Sequence, residues 1–210
     1  MDKLTETLTV IIYVCAALIA LTVIAMIVYK SKMKSIAQKL LGSSQRGGDL
    51  VVKLLKTAFH SSRIITHAVL PLENGQKAMA DVILVDRGGI FVIRVKTFPG
   101  SIDNSSRSSW TVTNHKGVGE FQNPFEQNKY AVRAIDELMK KEELYNVPKH
   151  NVVVFSQKRV SFKIRSEKLL TAERMIEALK DLNRNRFLNG KEISMTLAAI
   201  RKYNEKNIQE

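Results

Sequence analysis

The 210-residue chain has a single cysteine, Cys15, so no disulfide can form within it and the part after residue 29 has no thiol at all, as suits a cytosolic domain. Histidine is nearly as scarce. His60, His67, His115 and His150 lack ligand spacing and cysteine neighbours, which argues against a zinc site. The one tryptophan, Trp110, leaves too few large aromatics for a dedicated platform on which single-stranded bases stack. Its context, Ser109-Trp110-Thr111-Val112, reads as a strand with the indole in the core. There is no internal repeat. Acids are outnumbered, 20 Asp and Glu against 33 Lys and Arg, for a net charge of +13.

Charge is missing altogether from residues 8–29. At 1.5 Å per residue that apolar run spans a hydrocarbon core of about 30 Å, and it reads as one transmembrane helix. A cleaved signal peptide fits poorly, because Asp2 and Glu6 outweigh Lys3 ahead of the run and the run exceeds an h-region in length. Lys30, Lys32, Lys34 and Lys39 follow with no acid before Asp49, which marks the cytoplasmic side. The expected organisation is therefore a single-pass cell-membrane protein with its N-terminus outside. Residues 30–48 form a basic juxtamembrane linker, ending in a flexible Gly/Ser-rich stretch over 41–48, and residues 49–210 form one cytoplasmic domain.

Of the charge of +13, −1 belongs to Asp2, Lys3 and Glu6, which leaves +14 beyond the run. Such an excess favours a polyanion. Two are at hand for a tethered domain, DNA or RNA and the anionic inner leaflet. The densest basic stretch is Lys158, Arg159, Lys163, Arg165 and Lys168, read as a strand-edge loop or hairpin that either grips phosphates or is simply solvated.

Periodicity places the elements. Val51, Leu54, Leu55 and Ala58 give the i, i+3, i+4, i+7 stripe of a helix over 49–59, with Asp49 in its first turn, where the helix dipole favours an acid. A strand over 63–70 ends at Pro71 and the Asn74-Gly75 turn. Asn123 caps and Pro124 starts a helix reaching residue 145, with Ala131, Ala134, Ile135 and Leu138 inward and Gln127 next to Tyr130 on its surface. The apolar strand 151–155 belongs inside a sheet, and the crossover through the preceding helix makes an α/β arrangement. Helices over 172–182 and 193–203 complete the packing.

The most informative segment is a hairpin. Residues 80–86 and 90–96 are rich in Val, Ile and Phe and flank Gly88-Gly89. A Gly88-Gly89 loop sets Asp81 opposite Lys96, and an Arg87-Gly88 loop sets it opposite Arg94. Either register gathers Asp81, Arg94 and Lys96 on one face. A cross-strand salt bridge worth about 0.2 to 1 kcal/mol explains them without any chemistry.

The order of features resembles a known family. Gly48-Asp49 at a helix, then Asp81, then Arg94-Val95-Lys96, then Asn123-Pro124-x-x-Gln127, over residues 46–155, resembles the nuclease-related domain (NERD) family, which is similar to the PD-(D/E)xK enzymes. The resemblance implies a restriction-endonuclease-like mixed sheet flanked by helices. It implies a divalent Mg²⁺ or Mn²⁺ held by Asp81 and by a glutamate two residues before Lys96, with the lysine polarising the attacking water for phosphodiester hydrolysis. It also implies Gln127 beside the catalytic strands and an acid at the first helix, here Asp49 in place of the family's glutamate.

This chain departs at the decisive place, because the glutamate position is Arg94. A guanidinium has no lone pair for a metal, repels the ion, and competes for Asp81. Three readings follow: nucleic-acid binding with a degenerate metal site, in which Arg94 and Lys96 hold a phosphate; a metal-dependent nuclease whose site is rebuilt from Asp49, Asp81 and a carboxylate such as Glu120; or a membrane-side module that meets lipid or protein.

Overall fold

A computed structural model describes residues 44–185 and 187–204, together with Leu18, Ile19, Leu21, Thr22 and Ile24. The chain divides into two compact units, Met1–Lys39 and Leu40–Glu210. Those five positions of the first unit are helical, and the rest of the expected span over residues 8–29 lies outside the described residues. Among the described residues no helix is long and apolar enough to cross a membrane.

The second unit begins earlier than its hydrophobic stripe suggests. Helix α1 runs Ser44–Ala58, so residues 44–48, expected as a flexible link, are its first turns, and Asp49 lies beyond the first turn, which contains no acid. Gly47 is buried there, and a Cβ at that position would run into Thr97 Cγ2 and Ser156 Oγ. The helix thus extends backwards because a glycine lets it lie directly on the strand ends, a contact that periodicity does not display.

Strands β1 (Ile64–Pro71), β2 (Lys77–Asp86) and β3 (Gly89–Lys96) form a meander, and β7 (Lys149–Phe155) and β9 (Leu169–Thr171) add in parallel, giving the order β1-β2-β3-β7-β9. The path from β3 to β7 passes through helix α2 (Pro124–Lys141), as the apolar 152–155 run requires. Helices α3 (Ala172–Leu182) and α4 (Gly190–Tyr203) close the fold. On one sheet face Ile83, Val85, Ile90 and Val92 pack with Ala131, Ala134, Ile135 and Leu138 of α2 and with Ile193, Leu197 and Ile200 of α4. On the other, Leu84, Phe91, Ile93 and Val152 pack with Val51 and Leu55 of α1 and Met175 and Leu179 of α3. Helices therefore cover both faces.

A second sheet stands where one was expected. Strands β4 (Gly100–Asp103), β5 (Ser109–Asn114), β6 (Gly117–Gln122) and β8 (Val160–Phe162) form a mixed sheet ordered β6-β5-β4-β8. Its core of Phe98, Ile102, Trp110 and Val112 rests on Val153 and Phe155 of β7, and Trp110 is buried as its strand context implies. Of the strand-edge loop and the hairpin expected for the basic stretch, the structure has the first: β8 is the edge strand of the second sheet, paired in parallel with β4, and Lys158, Arg159, Lys163 and Arg165 flank it on the surface.

Candidate functional site

The register of the central hairpin decides which side chains meet. Asp86 pairs with Gly89 and Val82 with Ile93, so the loop is Arg87-Gly88 and Asp81 stands across from Arg94, the second of the two registers that the glycines permit. Pairing between β2 and β3 stops at Val82, and from there the β1–β2 ribbon turns away. The cores record that turn: Ala78 and Ala80 face the same cluster as Ile83 and Val85, a break in the alternation of a flat strand. His67, aligned with Asp81 on the far side, adopts φ 52°, a left-handed backbone uncommon outside glycine.

Splaying leaves the outer half of β3 without its β2 partner, and Asp81 takes that partner's place. Its Oδ2 accepts the Val95 N–H at 2.8 Å, and its Oδ1 accepts Arg94 Nη1 at 2.9 Å. Arg94 Nη2 donates to the Met79 carbonyl at 2.9 Å, so the guanidinium bridges the gap between the diverging strands. Arg94 Nε is buried with no partner.

Two residues on, Lys96 shares the Arg94 face and is 8% exposed. Its Nζ donates to Gln127 Oε1 at 2.8 Å and lies 5.9 Å from the centre of the Phe121 ring. Burial, and then repulsion by Arg94, lower the Lys96 ammonium from its usual 10.5 to about 8, against the opposing pull of Asp81. Gln127 is placed by its helix: the Asn123 side chain accepts the Phe125 N–H at 2.9 Å, and Pro124 opens the helix. Asn128 then fastens α2 to the sheet through the Val92 carbonyl, 2.7 Å, and Asn151 Oδ1, 2.9 Å. Gln127 Nε2 turns to Gln122 Oε1 at 3.2 Å.

Four of the five residues singled out from sequence thus converge: Asp81, Arg94, Lys96 and Gln127. Asp49 is not joined to them. It is exposed on α1, and among the described residues it has no ion pair with Arg94 or Lys96. Glu120 is exposed on β6, and Tyr130 is 57% exposed on α2. Two contributors escaped the sequence reading. Asn128 sits one residue after Gln127 and bonds a strand carbonyl, and Gln122 holds the Gln127 amide; only the helical phase of Asn128, on the buried stripe next to Ala131, hinted at the first.

The donor set does not suit a divalent ion. Mg²⁺ and Mn²⁺ take several oxygen ligands, and Asp81, the one carboxylate among the described residues bonded to this cluster, already serves a guanidinium and a backbone N–H. Among the described residues no group of three or more His, Cys, Asp or Glu could hold a metal.

Comparison with known proteins bears on the family. The family model described as nuclease-related domain matches residues 43–156, which contain all five of the residues singled out for catalysis. The chain is 31% identical over 98 residues to an uncharacterized protein of Bacillus anthracis, covering 46% of each. It therefore spans about half the length of the curated relative that it matches. No solved structure matches.

Proposed function

Because the chain belongs to the nuclease-related domain family, we propose that its second unit binds nucleic acid through Arg94 and Lys96, with the metal-dependent cleavage of a nuclease lost. The observation that carries this reading is the occupancy of Asp81, whose two oxygens are committed to Arg94 and to Val95 N–H. Arg94 supplies fixed positive charge where the family has an oxygen donor, and Lys96 adds a second cation two residues away. A phosphate diester reaching this face meets both, in the manner of a backbone contact that carries affinity rather than sequence preference. The exposed Lys158, Arg159, Lys163 and Arg165 and the half-buried Lys168 extend the attraction along the segments on either side of β8, although Lys163 is paired with Asp103 at 2.9 Å.

Lys96 supports the rival reading, an active nuclease, since an amine near pH 8 suits proton transfer. That reading needs further oxygen ligands, and both candidates, Asp49 and Glu120, are exposed. Labelled DNA and RNA incubated with the protein, with and without Mg²⁺ or Mn²⁺, separate the two. Salt-sensitive binding without cleavage supports the proposal; cleavage abolished by chelator and by Lys96→Ala refutes it.

Residues 8–29 and the lysines after them support anchoring in the cell membrane with the second unit on the cytoplasmic face. Release of the protein from membranes by alkaline carbonate would contradict that. The anionic leaflet then competes with nucleic acid for the basic surface, so binding measured with and without anionic vesicles ranks the two partners.

A further inference from the structure

A cavity of about 420 Å³ opens at the end of the β2–β3 hairpin remote from Lys96, lined by Arg63, Asp86, Arg87, Lys180, Asn183 and Arg184. From Gly88 at the turn to Arg94 the strand runs about 20 Å, at roughly 3.3 Å per residue. The two places therefore share no side chain.

The cavity is built from the buried side outward. Asp86, 4% exposed, accepts hydrogen bonds from Arg63 Nη1 and, at 2.7 Å, from Asn183 Nδ2, so its charge is spent on holding two lining residues in place. Asn183 Oδ1 in turn accepts the Gly88 N–H, and the Leu188 N–H donates to the Arg87 carbonyl at 2.9 Å. A Cβ on Gly88 would lie 2.8 Å from Asn183 Cα, so the turn sits directly on the end of α3. Hence Arg87 projects from a backbone fixed on both sides.

Charge decides what such a cavity takes. Four cations line it against one acid, and that acid is already paired with Arg63. Among the described residues Arg87 and Lys180 have no acidic partner, and Arg184 has only a surface pair with Asp181, the kind of pair that gives way readily. Among the described residues no aromatic or aliphatic side chain lines the cavity, so its lining is predominantly polar and suits a charged group. Lys180 near the C-terminal end of α3 also complements the helix dipole, but that accounts for one cation and not for Arg63 and Arg87 from other elements.

We propose that this cavity is a phosphate-binding site, separate from the Arg94–Lys96 face, in which Arg87, Lys180 and Arg184 grip a phosphate group beside the fixed Arg63. The group comes either from a free di- or triphosphate or from a nucleic-acid backbone.

The experiment titrates the full-length protein with inorganic pyrophosphate by calorimetry at constant ionic strength, alongside a short DNA duplex. Arg63 is left alone, because removing it strands the buried Asp86 charge. Saturable binding of pyrophosphate, weakened tenfold or more by Arg87→Gln/Lys180→Gln and unchanged by Arg94→Gln/Lys96→Gln, is the expected result. Circular dichroism and melting confirm that each variant is folded. If Arg87→Gln/Lys180→Gln also weakens the duplex, the backbone is the source; if only pyrophosphate suffers, a free phosphate ester is. Absence of pyrophosphate binding by the unaltered protein, or equal binding by folded Arg87→Gln/Lys180→Gln, overturns the proposal. Loss confined to Arg94→Gln/Lys96→Gln overturns it as well, and leaves the reading of that other face standing.

Discussion

Arg94 Nη1 lies 2.9 Å from Asp81 Oδ1, across two strands whose backbones have already parted. The pair closes the gap at the mouth of a hairpin, at the position where the resemblance to the family implies an oxygen donor. The structural contact and the proposed phosphate contact fall on the same residues, so substitutions must be chosen to separate them.

Arg94→Glu sets two carboxylates face to face where an ion pair stood. The variant is expected to be roughly 1–3 kcal/mol less stable without metal, from lost pairing and like-charge repulsion. Mn²⁺ then restores stability, by about 2.7 kcal/mol at a hundredfold excess over its dissociation constant. Melting temperatures with and without Mn²⁺ check this, the unaltered protein showing no metal-dependent rise.

Asp81→Asn keeps an acceptor for the Val95 N–H and loses the ion pair, at a cost of about 1 kcal/mol. Asp81→Ala also strips that N–H of its partner and is expected to cost about 1–3 kcal/mol in urea unfolding. Nucleic-acid affinity moves the other way. Removing the carboxylate frees Arg94 for phosphate, so the folded Asp81→Asn protein binds a duplex more tightly; weaker binding would point back to a metal ligand.

Lys96 makes two opposite predictions for pH. Its folded value of about 8 lies below the unfolded 10.5, so between those values the unfolded chain holds the extra proton and the native state gains stability as pH rises. Below about 8 the burial penalty is present in full. Affinity for phosphate follows the charge instead, and falls as pH passes about 8. Duplex titrations at pH 7 and pH 9 at fixed ionic strength check this, with Lys96→Arg expected to flatten the profile.

Gly47→Ala forces a methyl group against Thr97 Cγ2 and Ser156 Oγ. Overpacking of this kind costs roughly 1–3 kcal/mol. Because the clash lies under the first turns of α1, hydrogen exchange should quicken there before it does in β3 and β7.

Much of this was legible in the residues themselves. The stripes at Val51 and Leu55, at Ala131 and Ile135, and at Met175 and Leu179 are the buried faces of α1, α2 and α3, because a 3.6-residue period needs no tertiary information to be seen. The Asn123-Pro124 helix start is local chemistry of the same kind. Residues 44–48 are helical against expectation, because glycines and serines read as a link until a neighbouring strand end makes glycine the residue that fits. The pairing of β8 is not legible in the sequence, because three residues flanked by lysine and arginine carry no partner information and the partner β4 lies about sixty positions earlier in the chain.

Sequence alone determined which side chains could meet on one hairpin face, since strand alternation fixes Asp81, Arg94 and Lys96 together in either register. It also determined the charge excess and the arginine where the resemblance implies a glutamate. Tertiary structure decided the register, the splay of the β1–β2 ribbon from β3 at Asp81, and with it the capture of both Asp81 oxygens. It also gathered Arg63, Arg87, Lys180 and Arg184 around one cavity. The physical reason is distance along the chain: periodicity and capping act within a few residues, whereas the loss of a backbone partner, or the pooling of cations from separate elements, exists only once those elements have packed.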